Sequence, residues 1–275
     1  MKSNQARIVS KTATVAVLLC LLGFSCQVRQ PRPRTVSTAG GAPQPAPLAW
    51  TPLIKGIERR VLTQHLGDHP FELTVYRLDP SLVQATLSYQ EASERLDLWQ
   101  QKLRAHLVIN GSYFTEAHEP TGYFKIGDQV YSEKMYDAQS SGTVAIKSGR
   151  ISFLDTLKAN TKKDAATSIF QSFPYLIKPD GSDGVDVDSE KVARRTILAQ
   201  DKQKRILVVL LDKTPLSLFQ LMHILRESDL DVALALNLDG GPSSGLVYHD
   251  DSFEESIIPL LPLPIVLSFT ALAPG

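Results

Sequence analysis

Apolar and polar residues alternate along much of the chain, in the short runs that are typical of β-strands. Residues 71–78 (FELTVYRL) and 82–89 (LVQATLSY) follow the period of two that a half-buried strand requires. The apolar run at 105–110 predicts a buried strand that ends in an Asn-Gly pair, and a second run at 232–238 predicts a strand that delivers Asp239. We therefore expect many strands.

Two stretches have the pattern of a β-hairpin. Ser148-Gly149 divides residues 142–154 at a turn, and residues 195–212 consist of two apolar runs around a polar centre. Residues 261–269 (LPLPIVLSF) predict a closing strand at a sheet edge, because the prolines stand at its start.

Apolar residues at helical spacing predict two helices. Leu96, Trp99 and Leu103 recur at helical intervals within 93–104, and Ser93 is a suitable N-cap. Thr214 and Pro215 predict the N-cap and first residue of a second helix, whose apolar stripe is Leu218, Leu221, Met222 and Leu225. Many strands with two separated helices and no internal repeat predict a single α+β domain on a mixed multi-stranded sheet.

The N-terminal region has the pattern of an export signal. Basic residues precede an apolar run that ends in small residues before Cys26, which predicts a signal peptide over 1–25. Cys26 is then a candidate for lipidation in a bacterial lipoprotein, with simple secretion or an uncleaved anchor as alternatives. Residues 26–52, rich in Pro, Gly and Ala, predict an extended tether before a domain at 53–275. We expect an exported protein, periplasmic or anchored to the membrane through lipid on Cys26.

Charge and cysteine content exclude several classes of function. The first 47 residues hold six basic residues and no acid, so residues 48–275 carry 29 acidic against 23 basic side chains. A net-negative domain is poorly suited to neutralising phosphates, which argues against nucleic-acid binding. The two cysteines, Cys20 and Cys26, precede this domain, so cysteine is neither its nucleophile nor a metal ligand.

Residues 241–245 (GPSSG) spell G-x-S-x-G, the motif of a serine-hydrolase nucleophile elbow. That motif needs a helix after the serine, whereas the residues after Gly245 predict a strand. The nearest downstream histidine, His249, is six residues from Ser243, too close to reach it from a separate loop. A serine triad is therefore disfavoured. Taken alone, Asp239-Gly240-Gly241 predicts a hairpin turn between two strands.

The metal-binding signals are weak. His65 and His69 are four residues apart, but Gly67 and Pro70 prevent a helix that would place both on one face. The acidic run 179–190 is rich in oxygen ligands but lacks the EF-hand pattern, so a solvated turn is favoured and calcium stays open as an alternative. We expect no metal at the site and no cofactor.

Six segments, in order from about residue 70 to 270, resemble conserved blocks of the phosphodiester glycosidase family, which has many exported bacterial members. The segments are 108–114 (VINGSYF), 119–130, 141–151, 170–181, 194–201 (RRTILAQD) and 236–246 (LNLDGGPSSGL). The Asp-Gly-Gly-x-Ser block is the most specific of them. Leu198-Ala199 departs from the family, which usually has a glycine there. Arg195 directly precedes the threonine and so matches the family arginine.

The resemblance implies a hydrolase that cleaves a sugar-1-phosphodiester of envelope polysaccharide or glycolipid between the anomeric carbon and the phosphate oxygen. It implies that Asp239 acts as base or nucleophile and that Arg195 stabilises the leaving phosphate. Glu116, just beyond the segment 108–114, is the candidate for a second carboxylate. The resemblance also implies substrate contacts or positioning roles for Asn110, Gly111, Gln171, Ser172, Thr196, Gly240, Gly241, Ser243 and Ser244. Two alternatives remain: a non-catalytic glycan-binding lipoprotein on the same scaffold, and a metal-dependent phosphodiesterase that uses the 180–190 loop.

Overall fold

The computed structural model describes residues 49–137, 139–154 and 167–273. The predicted signal peptide and most of the predicted tether lie outside these residues. The first strand, Thr51–Ile54, begins within the last residues of that tether. Within the described ranges, no helix combines the length and apolar character that a membrane span requires.

The described elements are mostly strands. In chain order the strands before the middle of the domain are β1 (Thr51–Ile54), β2 (Ile57–Leu66), β3 (His69–Leu78), β4 (Val83–Glu94), β5 (Leu107–Asn110), β6 (Phe124–Ile126), β7 (Gln129–Ser132), β8 (Gly142–Lys147) and β9 (Arg150–Leu154). The later strands are β10 (Thr167–Ser172), β11 (Tyr175–Ile177), β12 (Ala193–Asp201), β13 (Ile206–Leu216), β14 (Val232–Asn237), β15 (Leu246–His249), β16 (Glu254–Ile257) and β17 (Leu263–Ala271). The helices are α1 (Leu96–Leu103) and α2 (Leu218–Glu227).

These strands form three sheets. The seven-stranded sheet has the order β1-β2-β3-β13-β12-β14-β11, and the two five-stranded sheets have the orders β7-β6-β10-β8-β9 and β16-β15-β5-β17-β4. Every pairing of these described strands is antiparallel. The prediction of one mixed sheet is therefore wrong. Because the two helices are short, the domain is nearly all β rather than clearly α+β.

Both faces of the seven-stranded sheet are buried. Alternate residues of β13 point to opposite faces: Val208 and Leu210 pack into the central core between the sheets, whereas Val209 and Leu211 pack into a second core beneath α2. This double burial explains why β13 is continuously apolar instead of alternating. On α2 the side chains that cover the second core are Leu221, Met222 and Leu225, as the apolar stripe predicts.

The locally encoded strands and hairpins are confirmed. The predicted strand 71–78 lies within β3, and the predicted turn at Ser148-Gly149 joins β8 to β9. Both turn residues have positive φ, 49° and 75°, as the two-residue turn of a tight hairpin requires. The hairpin predicted within 195–212 corresponds to β12 and β13.

The starts of both helices differ from the prediction. Ser93 lies in β4, and α1 begins after Arg95, whose side chain makes no capping hydrogen bond. Thr214 and Pro215 belong to β13, and α2 begins after Ser217. The Ser217 hydroxyl accepts the Gln220 N–H at 3.2 Å, and the Gln220 side chain accepts the Ser217 N–H at 3.0 Å. This reciprocal capping box fixes the helix start three residues later than predicted.

The predicted edge strand is also corrected. The strand β17 lies between β5 and β4, in the interior of its sheet. Its pairing with β4 is irregular between Leu263 and Ile265, at Pro264. The proline therefore sits where the ladder is already interrupted and its missing N–H is tolerated.

Candidate active site

Asp239 lies where the chain passes from the seven-stranded sheet into a five-stranded sheet. It follows the end of β14 by two residues, and a single 3-10 turn, Gly241–Ser243, leads into β15. The strands on either side of this turn pair with other strands and not with each other. The hairpin-turn interpretation of residues 239–241 is therefore wrong: the turn joins two sheets. Gly241 has φ +59°, a left-handed conformation that glycine adopts without strain.

The Asp239 carboxyl group is half-buried. Its Oδ1 accepts the Gly240 N–H at 2.8 Å, and the Ser243 side chain also bonds to it. Burial outweighs these bonds and raises the pKa of Asp239 from about 3.8 to about 6. A carboxyl group with this pKa is mostly ionised at neutral pH and is a stronger base than an ordinary aspartate, which suits a role in proton transfer.

Asn110, at the end of β5, holds the Asp239 turn from behind. Its Nδ2 donates to the main-chain oxygen of Asp239 at 2.7 Å. Its Oδ1 accepts the Thr196 hydroxyl at 2.7 Å and the Gly245 N–H at 3.2 Å. These bonds join β5, β12 and the turn. Because Asn110 is only 1% exposed, it offers no surface to a ligand.

Gly111 lets β17 approach this turn closely. Its N–H donates to the Ile265 main-chain oxygen at 3.0 Å, and its own oxygen accepts the Asp239 N–H at 3.2 Å. A Cβ atom on Gly111 would lie 2.4 Å from Ile265 Cγ2. A larger residue would therefore displace the strand that supports Asp239.

Gln171 and Ser172 are buried in the same region. Gln171 Oε1 accepts the Tyr123 N–H at 3.2 Å and the Tyr136 N–H at 3.0 Å. The Ser172 hydroxyl donates to the Asn237 main-chain oxygen at 2.7 Å. Gln171 thus holds the segments of Tyr123 and Tyr136 to β10, and Ser172 holds β10 to the end of β14.

The two serines of the turn differ in their surroundings. Ser243 faces the Asp239 carboxyl group, whereas Ser244 is 0% exposed. The Ser244 hydroxyl makes no hydrogen bond to any described residue. His249 lies on β15 and lines a different groove from Ser243, and the strand predicted after Gly245 is confirmed as β15.

The Arg195 guanidinium lies beside Gly240. Its Nη2 donates to the Lys191 main-chain oxygen at 2.7 Å and its Nε to the Leu216 oxygen at 3.3 Å. A Cβ on Gly240 would lie 3.6 Å from Nη1. Burial lowers the pKa of Arg195. The arrangement places a cation, held by two main-chain oxygens, next to the turn that carries Asp239.

Asp239 and Glu116 line one open groove of about 630 Å³. Gly240, Pro242 and Ser243 form one part of its wall, and Phe114, Thr115 and His118 belong to the segment that carries Glu116. Glu116 is exposed, so its carboxylate is accessible from solvent. The structure therefore brings the two predicted carboxylates and the turn glycine into one groove.

Three aromatic residues near Asp239 were not among the predicted site residues: Tyr113, Tyr136 and Phe173. Burial raises the pKa of both tyrosines, and the charge of Asp239 raises them further. Tyr113 follows Asn110 by three residues and Phe173 follows Ser172 directly, so two of the three lie inside segments that the sequence had already singled out.

The residues that the sequence suggested for other chemistry, His249 and the acidic run 179–190, do not line the groove that contains Asp239. A second groove of about 620 Å³ contains His106, His249 and Asp250. In the acidic run, Asp183 forms an ion pair with Arg226, and Asp180 accepts hydrogen bonds from Ser182. The described residues contain no group of three or more His, Cys, Asp or Glu side chains placed to hold a metal ion.

Solved structures share this fold. The catalytic domain of zebrafish N-acetylglucosamine-1-phosphodiester alpha-N-acetylglucosaminidase, auto-inhibited by its pro-peptide, superposes with a TM-score of 0.58 at 15% identity, covering 79% of this chain and 84% of that one. A hypothetical protein from Synechocystis superposes with a TM-score of 0.56 at 14% identity, covering 79% of this chain and 62% of that one. No curated protein matches the sequence of this chain.

The sequence match is to a family profile. The phosphodiester glycosidase profile matches residues 104–259, more than half of the 275 residues. The matched stretch contains Arg195 and also Asn110, Thr196 and Asp239, which hydrogen bonds join at the junction of β5, β12 and β14. The chain belongs to the phosphodiester glycosidase family.

Proposed function

We propose that the protein is a hydrolase that cleaves the glycosidic bond of a sugar-1-phosphodiester. The observation that carries this proposal is the half-buried Asp239 carboxyl group, which shares a groove with Glu116 and lies one residue from the glycine beside Arg195. The family supports a phosphodiester-linked sugar as substrate. The zebrafish relative, by its name, acts on an N-acetylglucosamine-1-phosphodiester.

In this reaction the bond between the anomeric carbon and the phosphate oxygen breaks, and its electron pair leaves with the phosphate. The transition state resembles an oxocarbenium ion. The oxygen of water ends on the anomeric carbon, and the products are the free sugar and a phosphate monoester. Because the phosphate is a weak base, stabilisation of charge matters more than protonation of the leaving group.

The accessible charged groups fit these two demands. The Asp239 carboxylate stabilises the positive charge on the sugar, and either accepts the proton of the attacking water or attacks the anomeric carbon itself. Glu116 supplies a second carboxylate from the same groove. Arg195 stabilises the leaving phosphate, since the main-chain N–H groups of Gly240 and Ser243 already donate to Asp239 Oδ1 and to the Gly240 oxygen.

The buried polar residues keep this geometry. Asn110 and Thr196 join two sheets behind Asp239, and Gln171 and Ser172 fix the neighbouring loop, each through hydrogen bonds within the protein. We therefore assign these four residues, together with Gly111 and Ser244, to positioning and not to direct contact with the sugar.

We also propose that this reaction takes place outside the cytoplasm, on envelope polysaccharide or glycolipid. The proposed signal peptide (1–25), the proposed tether (26–52) and the candidate lipid site at Cys26 support it. Intact mass of the protein purified from a bacterial host tests it: a chain that retained residues 1–25 and stayed in the cytoplasm would contradict export.

Isotope labelling tests the bond that is cleaved. The full chain is incubated in ¹⁸O-water with α- and β-linked sugar-1-phosphodiesters, and the phosphate monoester is analysed by mass spectrometry. Cleavage at the anomeric carbon leaves the phosphate unlabelled, whereas attack at phosphorus puts one ¹⁸O into it and would support a phosphodiesterase. Saccharide binding without turnover would instead support a glycan-binding protein.

A further inference from the structure

The aromatic residues near Asp239 form one cluster. The Phe173 ring stacks on Tyr113, with centroids 4.7 Å apart and an interplanar angle of 30°. Tyr136 meets Phe173 edge to face, also at 4.7 Å and with an angle of 73°. Phe173 is 37% exposed although two rings pack against it. The cluster therefore presents an aromatic surface to solvent on a supported ring.

Hydrogen bonds fix this ring to the strand that carries Asp239. The Phe173 main-chain oxygen accepts the Tyr113 hydroxyl and Asn237 Nδ2, each at 3.0 Å. The Asn237 N–H donates to the Pro174 oxygen at 3.0 Å. Since Asn237 is two residues before Asp239, the ring and the carboxyl group are held by the same strand end. A site fixed in this way loses little conformational entropy when a ligand binds.

The cluster lies outside the buried hydrophobic cores. None of the three aromatic residues belongs to the buried clusters of the described chain. Both tyrosine hydroxyls bond within the protein, Tyr113 to the Phe173 oxygen and Tyr136 to Thr121. What remains available to a ligand is the exposed ring surface of Phe173, which stacks on Tyr113, a residue close enough to Asp239 and Arg195 for both charges to act on it.

We propose that Phe173, supported by Tyr113 and Tyr136, is the stacking platform for the sugar ring of the substrate. The C–H groups on one face of a pyranose carry partial positive charge, and the face of an aromatic ring carries partial negative charge. The platform holds the sugar while Asp239 acts on its anomeric carbon and Arg195 takes the phosphate. This inference rests on the proposed function and adds to it the residues that bind the sugar.

Phe173→Ala in the full chain tests the platform. With a sugar-1-phosphodiester that the wild type cleaves, KM is expected to rise about tenfold, because the lost stacking energy is about 1–1.5 kcal/mol. The kcat value is expected to change less than KM, since the reacting groups stay in place. Phe173→Trp, which keeps an aromatic face, is expected to restore KM towards the wild-type value.

Tyr131→Ala is the matched control. Tyr131 is 44% exposed, packs on Tyr89 and Phe124, and lines a different groove from Asp239. Its removal is expected to leave KM unchanged. An unchanged KM in Phe173→Ala, or an equal rise in Tyr131→Ala, would overturn the platform.

Failure of the platform is distinguishable from failure of the proposed function. If the wild type cleaves no substrate, binding of the corresponding sugar-1-phosphates is measured by calorimetry instead. If Phe173→Ala then bound the sugar-1-phosphate more weakly than the wild type, the platform would be supported even without catalysis. Equal binding by both proteins, or no binding by either, would contradict it.

Discussion

At the scale of single residues, burial separates two roles that the sequence presents together. Asn110 and Gln171 are each 1% exposed and their side-chain oxygens accept two hydrogen bonds from the protein, whereas Glu116 is exposed in the groove. The sequence segments do not separate these two roles, because they record which residues are present and not which are accessible. Phe173 was not predicted for the same reason, because the sequence does not show whether a phenylalanine ring is exposed or buried.

The raised pKa of Asp239 predicts a cost in stability. Above pH 6 the folded protein carries a charge that burial disfavours, so Asp239→Asn is expected to be more stable than the wild type by about 3 kcal/mol. As the pH falls from 6 to about 4, the carboxyl group is protonated first in the folded and then in the unfolded protein, and the difference is expected to shrink towards zero. Denaturant unfolding of both proteins between pH 4 and 8 measures this difference in the free energy of unfolding.

Asp250 provides a control of opposite sign. Burial raises the pKa of Asp250, but hydrogen bonds from Tyr248, Ser252 and Phe253 outweigh it and lower the pKa to about 2. Asp250→Asn is therefore expected to lose stability relative to wild type above pH about 4. If Asp239→Asn behaved like Asp250→Asn, the Asp239 carboxyl group would not be held in a disfavoured charged state.

At the scale of elements, local patterns predict the strands and their turns. The Ser148-Gly149 turn and the hairpin of β12 and β13 were predicted because neighbouring residues encode them. The start of α2 was not predicted correctly. Thr214-Pro215 and Ser217-Gln220 both carry helix-start signals, and only the structure shows which pair makes the capping hydrogen bonds. The pairing of β17 with two strands depends on residues far away in sequence. Its prolines therefore led to the wrong prediction that it is an edge strand.

Contacts between elements include an ion pair that links two sheets. Arg59 on β2 donates to both carboxylate oxygens of Glu255 on β16, and the Tyr76 hydroxyl donates to Glu255 Oε2 at 2.6 Å. The Arg59 and Glu255 side chains are 22% and 16% exposed. Glu255→Ala leaves Arg59 and Tyr76 without this partner, so the free energy of unfolding is expected to fall by about 2–3 kcal/mol.

Glu72→Ala is the matched control for this prediction. Glu72 pairs with Lys213 at 3.0 Å, but their side chains are 48% and 70% exposed. Because solvent screens an exposed pair, no measurable loss is expected. Equal losses in the two variants, measured by urea unfolding, would show that the link between the sheets contributes no more than a surface pair.

At the scale of the whole molecule, the site exists because two sheets meet. Asn110 on β5 and Thr196 on β12 are 86 residues apart in sequence and lie in different sheets, yet they share a hydrogen bond behind Asp239. The resemblance to family blocks pointed to Asn110, Thr196 and Asp239, which lie together in the structure, and the alternation of apolar residues predicted most strands. Neither predicts three antiparallel sheets, because that arrangement depends on which distant strands pair.

The most direct test of the proposed function is the release of free sugar by the full chain and by Asp239→Asn, assayed in parallel on α- and β-linked sugar-1-phosphodiesters. The wild type is expected to release sugar, and the variant to lose about 10²–10⁴-fold in kcat while remaining folded. Near-normal release by Asp239→Asn, or none by the wild type on any linkage, would contradict the proposal that Asp239 carries out this hydrolysis.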